Sequence, residues 1–418
     1  MLMGAFFGVA PVYWTPWVGV ESTQLFKACL IVLVFFVSVL FVYVKKSVAS
    51  YKGRFIYLSF TMLLVITAFG VINGSVDEVI YREASIVLAF AFMWSCYVVL
   101  LHVELRHIVR FYILTFLLIY TLWFGYSALK PGEASPINPL LNITETGFSG
   151  NRIQWSVAIA MFLAWLLIGS NRGLAFRLTV SVLCILGQVS VASRSGFVGT
   201  LIVLIAISAR YLNYKRLPLV LAAAGGVMYV ISSHLDELRL ATGGLGSLNS
   251  LNDLSTGRVE NYEKGFALFS SHPLLGVGIG NGHVQTAMGD LMVHNIILRF
   301  AAEGGLFYAM ALIILFILAL RYAWVTFRSS SSLHSAAAVV VLIGIAVSMV
   351  EPEVPLGSFY INAMWWFSLA VCMSYRRRLA NGQSLSPTEQ ACAIRHGRVL
   401  SPCGDAGMSA FRQQVKQS

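Results

Sequence analysis

The sequence predicts an all-α membrane protein, a polytopic helical bundle of about twelve transmembrane helices with one long, partly helical loop on the outer face. Three observations carry this. Hydrophobic residues make up 58% of the 418-residue chain and charged residues only 11%, with a mean hydropathy of +0.77; a soluble domain carries about 25% charged and 45–50% apolar residues. The excess is gathered into repeated stretches of about 20 residues, the length that crosses hydrocarbon as helix. Those stretches are continuous rather than alternating, which favours a bundle over a barrel.

The spans follow in order. The first apolar run, 2–18, lacks a basic leader and carries Trp14 and Trp17, which suit a membrane interface. It reads as a first helix ending near Pro16, not as a cleaved signal. Further runs lie at 24–44, 55–73, 84–101, 108–128, 153–169, 175–192, 196–213, 217–233, 295–320, 334–351 and 357–375. Residues 1–378 thus form the membrane unit, and 379–418, rich in Ser, Gln and Gly, form a polar tail expected to be mobile and cytoplasmic. No internal repeat is visible.

The net charge of +11 would suggest nucleic acid in a soluble protein. Here the basic residues fall in short loops and set orientation instead, so no nucleic-acid partner is expected. "KKSVASYKGR", "ELRHIVR", "NRGLAFR", "RYLNYKR", "RYAWVTFR" and "YRRR" occupy every second connection after the second span. An even number of spans with both termini inside satisfies all of them together. The opposite connections are acidic, from Asp77, Glu78 and Glu83 to Glu351 and Glu353, and keep few cations: Arg82, Lys130, Arg152, Arg194, Arg239, Arg258 and Lys264. The six cysteines avoid those outer loops and form no CxxC, so neither a disulfide nor a metal site is expected.

The loop 234–294, between spans nine and ten, is too long for a bare connection, and ordered long loops are usually functional. Residues 258–270 have helical spacing that places Tyr262, Phe266 and Phe269 on one face. The following "GVGIGNG" lacks the βαβ surroundings of a dinucleotide fingerprint, and reads as a glycine turn that lets backbone lie flat on a membrane surface. "NIT" at 142–144 matches a glycosylation sequon but acts only in a eukaryotic secretory pathway.

Three residues deserve separate weight. Arg194 sits between two apolar runs, in "SVASRSGFVGTLI", with Ser193, Ser195 and Gly196 small enough to admit a phosphate to the backbone. Singly, it could pair with a helix end, Arg258 could be a solvated loop charge, and His294 could be a helix cap. All three map to the outer face. Two arginines and a histidine without a carboxylate or cysteine cluster suit an anionic substrate held without metal. The arginine fork matches pyrophosphate and stays charged, and a neutral imidazole can take a proton from a hydroxyl.

In order along the chain, "SVASRSGFVGTLI", "STGRVENYEKGFALFSSHPLLGVGIGNG" and "HNIILRFAAEGGLFY" resemble the O-antigen ligase/polymerase family of bacterial envelope glycosyltransferases. His294-Asn295, nine residues, Gly305, two residues and Tyr308 resemble its histidine motif. The motifs cover roughly residues 190–310, and the rest is similar only in length and span count. The resemblance implies a donor glycan on undecaprenyl pyrophosphate and work at the periplasmic face of the inner membrane. It implies an acceptor that is either lipid A–core, for a ligase, or a second lipid-linked repeat unit, for a polymerase. Carried onto this chain, Arg194 and Arg258 bind the donor pyrophosphate and His294 assists the acceptor, with Arg152 and Asn295 as possible support. No cofactor is implied. The short outer loop 129–152 leans toward a ligase. The rival from another class is a transporter or flippase for a lipid-linked glycan, whose ionisable residues would be strung along a path through the membrane.

Overall fold

A computed structural model describes residues 2–10, 61, 65, 76–129, 152–170, 172–191, 193–211, 258–286, 289–329, 331–352, 356 and 359–380, with the side chains of a few of these left aside. The described chain is mostly helical. It runs α1 (Leu2–Val9), α2 (Val76–Leu100), α3 (Leu105–Leu129), α4 (Arg152–Ala164), α5 (Leu174–Val191), α6 (Arg194–Tyr211) and α7 (Arg258–Ser271). A two-stranded hairpin, β1 (His283–Thr286) and β2 (Gly289–Met292), follows, then α8 (Ile296–Phe327), α9 (Ser332–Ser348) and α10 (Phe359–Ala380). The last turn of α4 widens into π-helix over Trp165–Gly169.

Three stretches, Arg82–Leu100, Leu105–Tyr126 and Ile296–Phe327, are long and apolar enough to cross a membrane, and four shorter apolar helices stand beside them. The chain is a helical membrane protein. The expected spans 24–44 and 217–233, most of 55–73 and the second half of 2–18 lie outside the described residues, as do the tail from 381 onward and the first part of the loop 234–294.

The core is aromatic. Phe116 stacks on Phe162 with centroids 4.4 Å apart, and Trp123 meets Trp155 edge-on at 5.4 Å. Buried polar atoms must find partners where water is absent, and Trp365 Nε1 donates to the Val341 carbonyl at 3.0 Å. Gly344 makes room for that indole, because a Cβ there would sit 2.0 Å from it.

The arginines of the basic loops gather at one end of the bundle. Arg378 donates to the Leu100 carbonyl at 2.6 Å and Arg377 to the Tyr97 hydroxyl at 2.9 Å. Arg177 reaches the Leu167 carbonyl at 3.2 Å, and Arg210 the Ser329 carbonyl at 3.2 Å. These are the C-terminal ends of α2, α4 and α8, where unpaired carbonyls and the negative helix pole both favour a cation. The ends of α5 and α9 and the starts of α6 and α8 lie opposite.

One local reading changes. The connection 74–83 was expected to be a loop, yet helix begins at Val76, and Arg82 lies buried in it beside Glu303 at 3.1 Å. Pairing with a carboxylate is what allows the arginine to be buried there. The helix α7 forms as the spacing predicts, with Phe266 and Phe269 side by side at 6.3 Å, and its buried face is a different one. Asn261 and Gly265 are buried, whereas Phe266 is 61% exposed. The helix packs on α8 through its small, polar stripe because Gly265 lets Val293 and Leu298 come close.

Candidate active site at the start of α8

The site begins with a break in a helix. Gly305, inside α8, has φ 73° and ψ −168°, a left-handed conformation that favours glycine. A Cβ there would sit 2.1 Å from the Leu274 carbonyl oxygen. The break frees groups that a continuous helix would pair, and the preceding loop takes them up. Val277 N–H donates to Ala302 at 2.8 Å and Gly278 N–H to Glu303 at 2.9 Å, while Leu306 N–H donates to Pro273 at 2.8 Å. The "GVGIGNG" turn is therefore packed flat against α8, with Gly276, Gly278 and Gly280 at positive φ.

Loop, hairpin and α7 then fix the residues ahead of α8. Asn261 is fully buried; its Oδ1 accepts the His294 backbone N–H at 2.8 Å and its Nδ2 donates to Met292 at 3.1 Å. Asn295 caps α8 by accepting the Leu298 N–H at 3.0 Å. Its Nδ2 also donates to the Met349 carbonyl at 3.1 Å, and the Tyr262 hydroxyl donates to that same carbonyl at 3.1 Å. The end of α9 is thereby tied to both α7 and α8.

Two residues beyond Met349 stands Glu351, buried, on which the site converges. Arg258, the first residue of α7, is ion-paired through Nη2 with Glu351 Oε1. Ser195 Oγ, in the first turn of α6, donates to the same oxygen at 3.2 Å. His294 Nδ1 lies 3.9 Å from Oε2, and that nitrogen is buried and makes no hydrogen bond. Burial first, and then the Arg258 guanidinium, hold the His294 imidazole below the usual histidine range. The ring is therefore neutral at pH 7 and free to accept a proton.

Of the residues singled out from the sequence, Arg258, His294 and Asn295 meet here. Arg194 opens α6 immediately before Ser195, and Arg152 opens α4; the side chains of both lie outside the described residues. The small residues around Arg194 serve packing. A Cβ on Gly196 would sit 1.5 Å from Ser156 Oγ of α4, and Ser193 and Ser195 are buried. Gln188 fastens the same turn, donating to Ser156 O at 3.1 Å and accepting from Thr200 at 2.6 Å. Glu351, Asn261 and Tyr262 were not singled out. Glu351 stood in plain view as one acid among those of the outer connections, but nothing in its neighbours links it to Arg258 or His294.

What the fold and site define is a helical membrane protein with an arginine–carboxylate–histidine cluster at one end of its bundle, roofed by a folded loop. Residues 179–313 match the model of the O-antigen ligase family. Its members are glycosyltransferase-like enzymes that act on lipid-linked glycans. No curated protein matches the chain. Arg194, Arg258, His294 and Asn295 fall inside the matched segment, whereas Glu351 falls beyond it.

Proposed function

We propose that this protein is an O-antigen ligase-type glycosyltransferase. It moves a glycan from undecaprenyl pyrophosphate to a sugar hydroxyl of lipid A–core at the periplasmic face of the inner membrane, with both termini in the cytoplasm. The observation that carries the reading is the convergence of Arg258 and His294 on Glu351, beside the start of α6 that carries Arg194.

The chemistry follows from charge. Departure of a lipid pyrophosphate gathers negative charge on the phosphates and positive charge on the sugar ring. Fixed guanidinium groups stabilise that transition state more than the ground state. The start of α6 adds its free amides and positive pole. His294, neutral, takes the proton of the acceptor hydroxyl as that oxygen attacks the anomeric carbon from the face opposite the pyrophosphate. One displacement inverts the centre and needs neither a covalent enzyme intermediate nor a metal, since the arginines supply the positive charge. The roof built by α7, the hairpin and the glycine loop limits access of water. Clustering of the ionisable groups at one end of the bundle, opposite the arginines of the basic loops, supports interfacial chemistry over a transport path.

The test is the surface glycan of a deletion strain. Polymerised glycan retained on its carrier lipid is the expected result. Single repeats on lipid A–core would instead assign the protein as a repeat-unit polymerase, and an unmodified carrier trapped inside would assign a flippase.

A further inference from the structure

We infer that Glu351 changes partner during turnover, from Arg258 to His294, so that arrival of the donor pyrophosphate prepares the base. The inference rests on the transferase reading above and adds a positioning residue to it.

Glu351 Oε1 is held by Arg258 and by Ser195, and Oε2 faces His294 Nδ1 at 3.9 Å. That distance is too long for a hydrogen bond and short enough to close by small side-chain rotations. The unmet need lies on the histidine side. His294 Nδ1 is buried without a hydrogen-bond partner, and Glu351 Oε2 is the carboxylate oxygen that faces it. Arg258 is the shared member. Its fork suits a pyrophosphate better than a single carboxylate oxygen, because the pyrophosphate offers more charge and more acceptors. Side-chain exposure of Arg258 is 20% against 7% for Glu351, so the arginine is the one able to turn toward a ligand.

With Arg258 engaged by the donor, Glu351 accepts the Nδ1–H of His294. That bond fixes the tautomer leaving Nε2 free as the proton acceptor, and it stabilises the imidazolium as it forms. In the step itself the acceptor O–H bond breaks and its proton moves to Nε2. The oxygen bonds to the anomeric carbon, and the bond from that carbon to the pyrophosphate breaks, its electron pair leaving with the phosphate. Without donor, Arg258 beside the ring disfavours the imidazolium, so no proton is taken before there is a glycan to transfer.

The test uses the full-length protein in lipid nanodiscs with a lipid-linked glycan donor and a lipid A–core acceptor. Glu351→Gln keeps an oxygen for Arg258 but cannot stabilise an imidazolium. It is expected to lower kcat by about 100-fold or more, with a donor KM unchanged or lower because Arg258 has lost a competitor. Glu351→Asp, which keeps the charge buried beside Arg258 and so guards against misfolding, is expected to lower kcat less and likewise leave donor KM unraised. Glu351→Gln added to His294→Ala should cost almost nothing further. A raised donor KM with kcat intact in either variant, or full multiplicative losses in the double variant, would overturn the handover and leave Glu351 as a clamp on Arg258. Wild-type protein that transfers no glycan from any lipid-linked donor would overturn the transferase reading itself.

Discussion

Two carboxylates on this molecule each gather arginine, and they behave as opposites. Glu303 is completely buried, shared between Arg82 Nη1 at 3.1 Å and Arg299 Nε at 2.8 Å. Gly276 and Gly282 press against it so closely that a Cβ on either would lie within 2.7 Å of its atoms. Glu351 has Arg258 on one oxygen and faces a histidine nitrogen without a hydrogen bond on the other, with His294 28% exposed at its side chain. The first cluster is closed, its cations in register with the acid and sealed from water. The second is open and keeps one donor position unmet. Each cluster keeps one buried atom without a hydrogen bond, Glu303 Oε2 and His294 Nδ1, so it is access that separates a site from a structural pair here.

Glu303→Ala should produce the largest effect that this contrast implies. Two buried guanidinium groups lose their counter-charge, at a cost of about 3–5 kcal/mol. Membrane accumulation, or melting in detergent, is expected to collapse. Normal accumulation with transfer alone abolished would place Glu303 in the chemistry and dissolve the distinction.

Substitutions in the open cluster should spare the fold. His294→Ala is expected to reduce turnover by about 10²–10⁴-fold with little change in donor affinity. Arg258→Ala should reduce transfer by about 10²–10³-fold, largely through the donor. Lysine at position 194 or 258 keeps the charge without the fork and should recover only part of the activity. Equal loss of donor affinity in the His294 and Arg258 variants would erase the proposed division between acceptor and donor.

A smaller effect concerns pH. The working form of His294 is neutral, and burial and Arg258 lower its affinity for protons, with Glu351 the facing acid. Activity is therefore expected to hold as pH falls to 6.5 and to decline only below it, once the imidazole is protonated. An acid limb above 6.5 in kcat/KM would count against the assignment. Smallest of all is the response to chelator, where no loss is expected; activity removed by chelation and restored by magnesium would sink a mechanism built on arginine alone.

Much of the fold could be read from the chain because hydrocarbon imposes a simple rule. Apolar runs such as 108–128 and 175–192 became α3 and α5 with ends shifted by a few residues. Arg258 and His294 were legible because a cation or an imidazole beside a membrane span needs a reason. Glu351 was not, since an acid at the end of α9 looks like any outer-loop charge until α7 and α8 are docked on Met349. Arg82 was missed for a related reason: a helix that begins with charged residues depends on a partner 221 positions away. The packing role of Gly196 was not legible because its neighbour across the gap, Ser156, comes from another helix.

The break at Gly305 also divides α8 into two parts with different rates of opening. Residues 306–327 belong to the apolar span, whose amides are paired within a continuous helix. In the first part of α8, Ala302 and Glu303 share their carbonyls with the glycine loop, which ties the stability of that turn to docking of the loop. Deuterium uptake should therefore rise together across 258–304, as one cooperative unit, while 306–327 remains unexchanged. The histidine thus rides on a segment whose lifetime is set by the roof above it, so a single glycine joins the kinetics of loop undocking to the survival of the site.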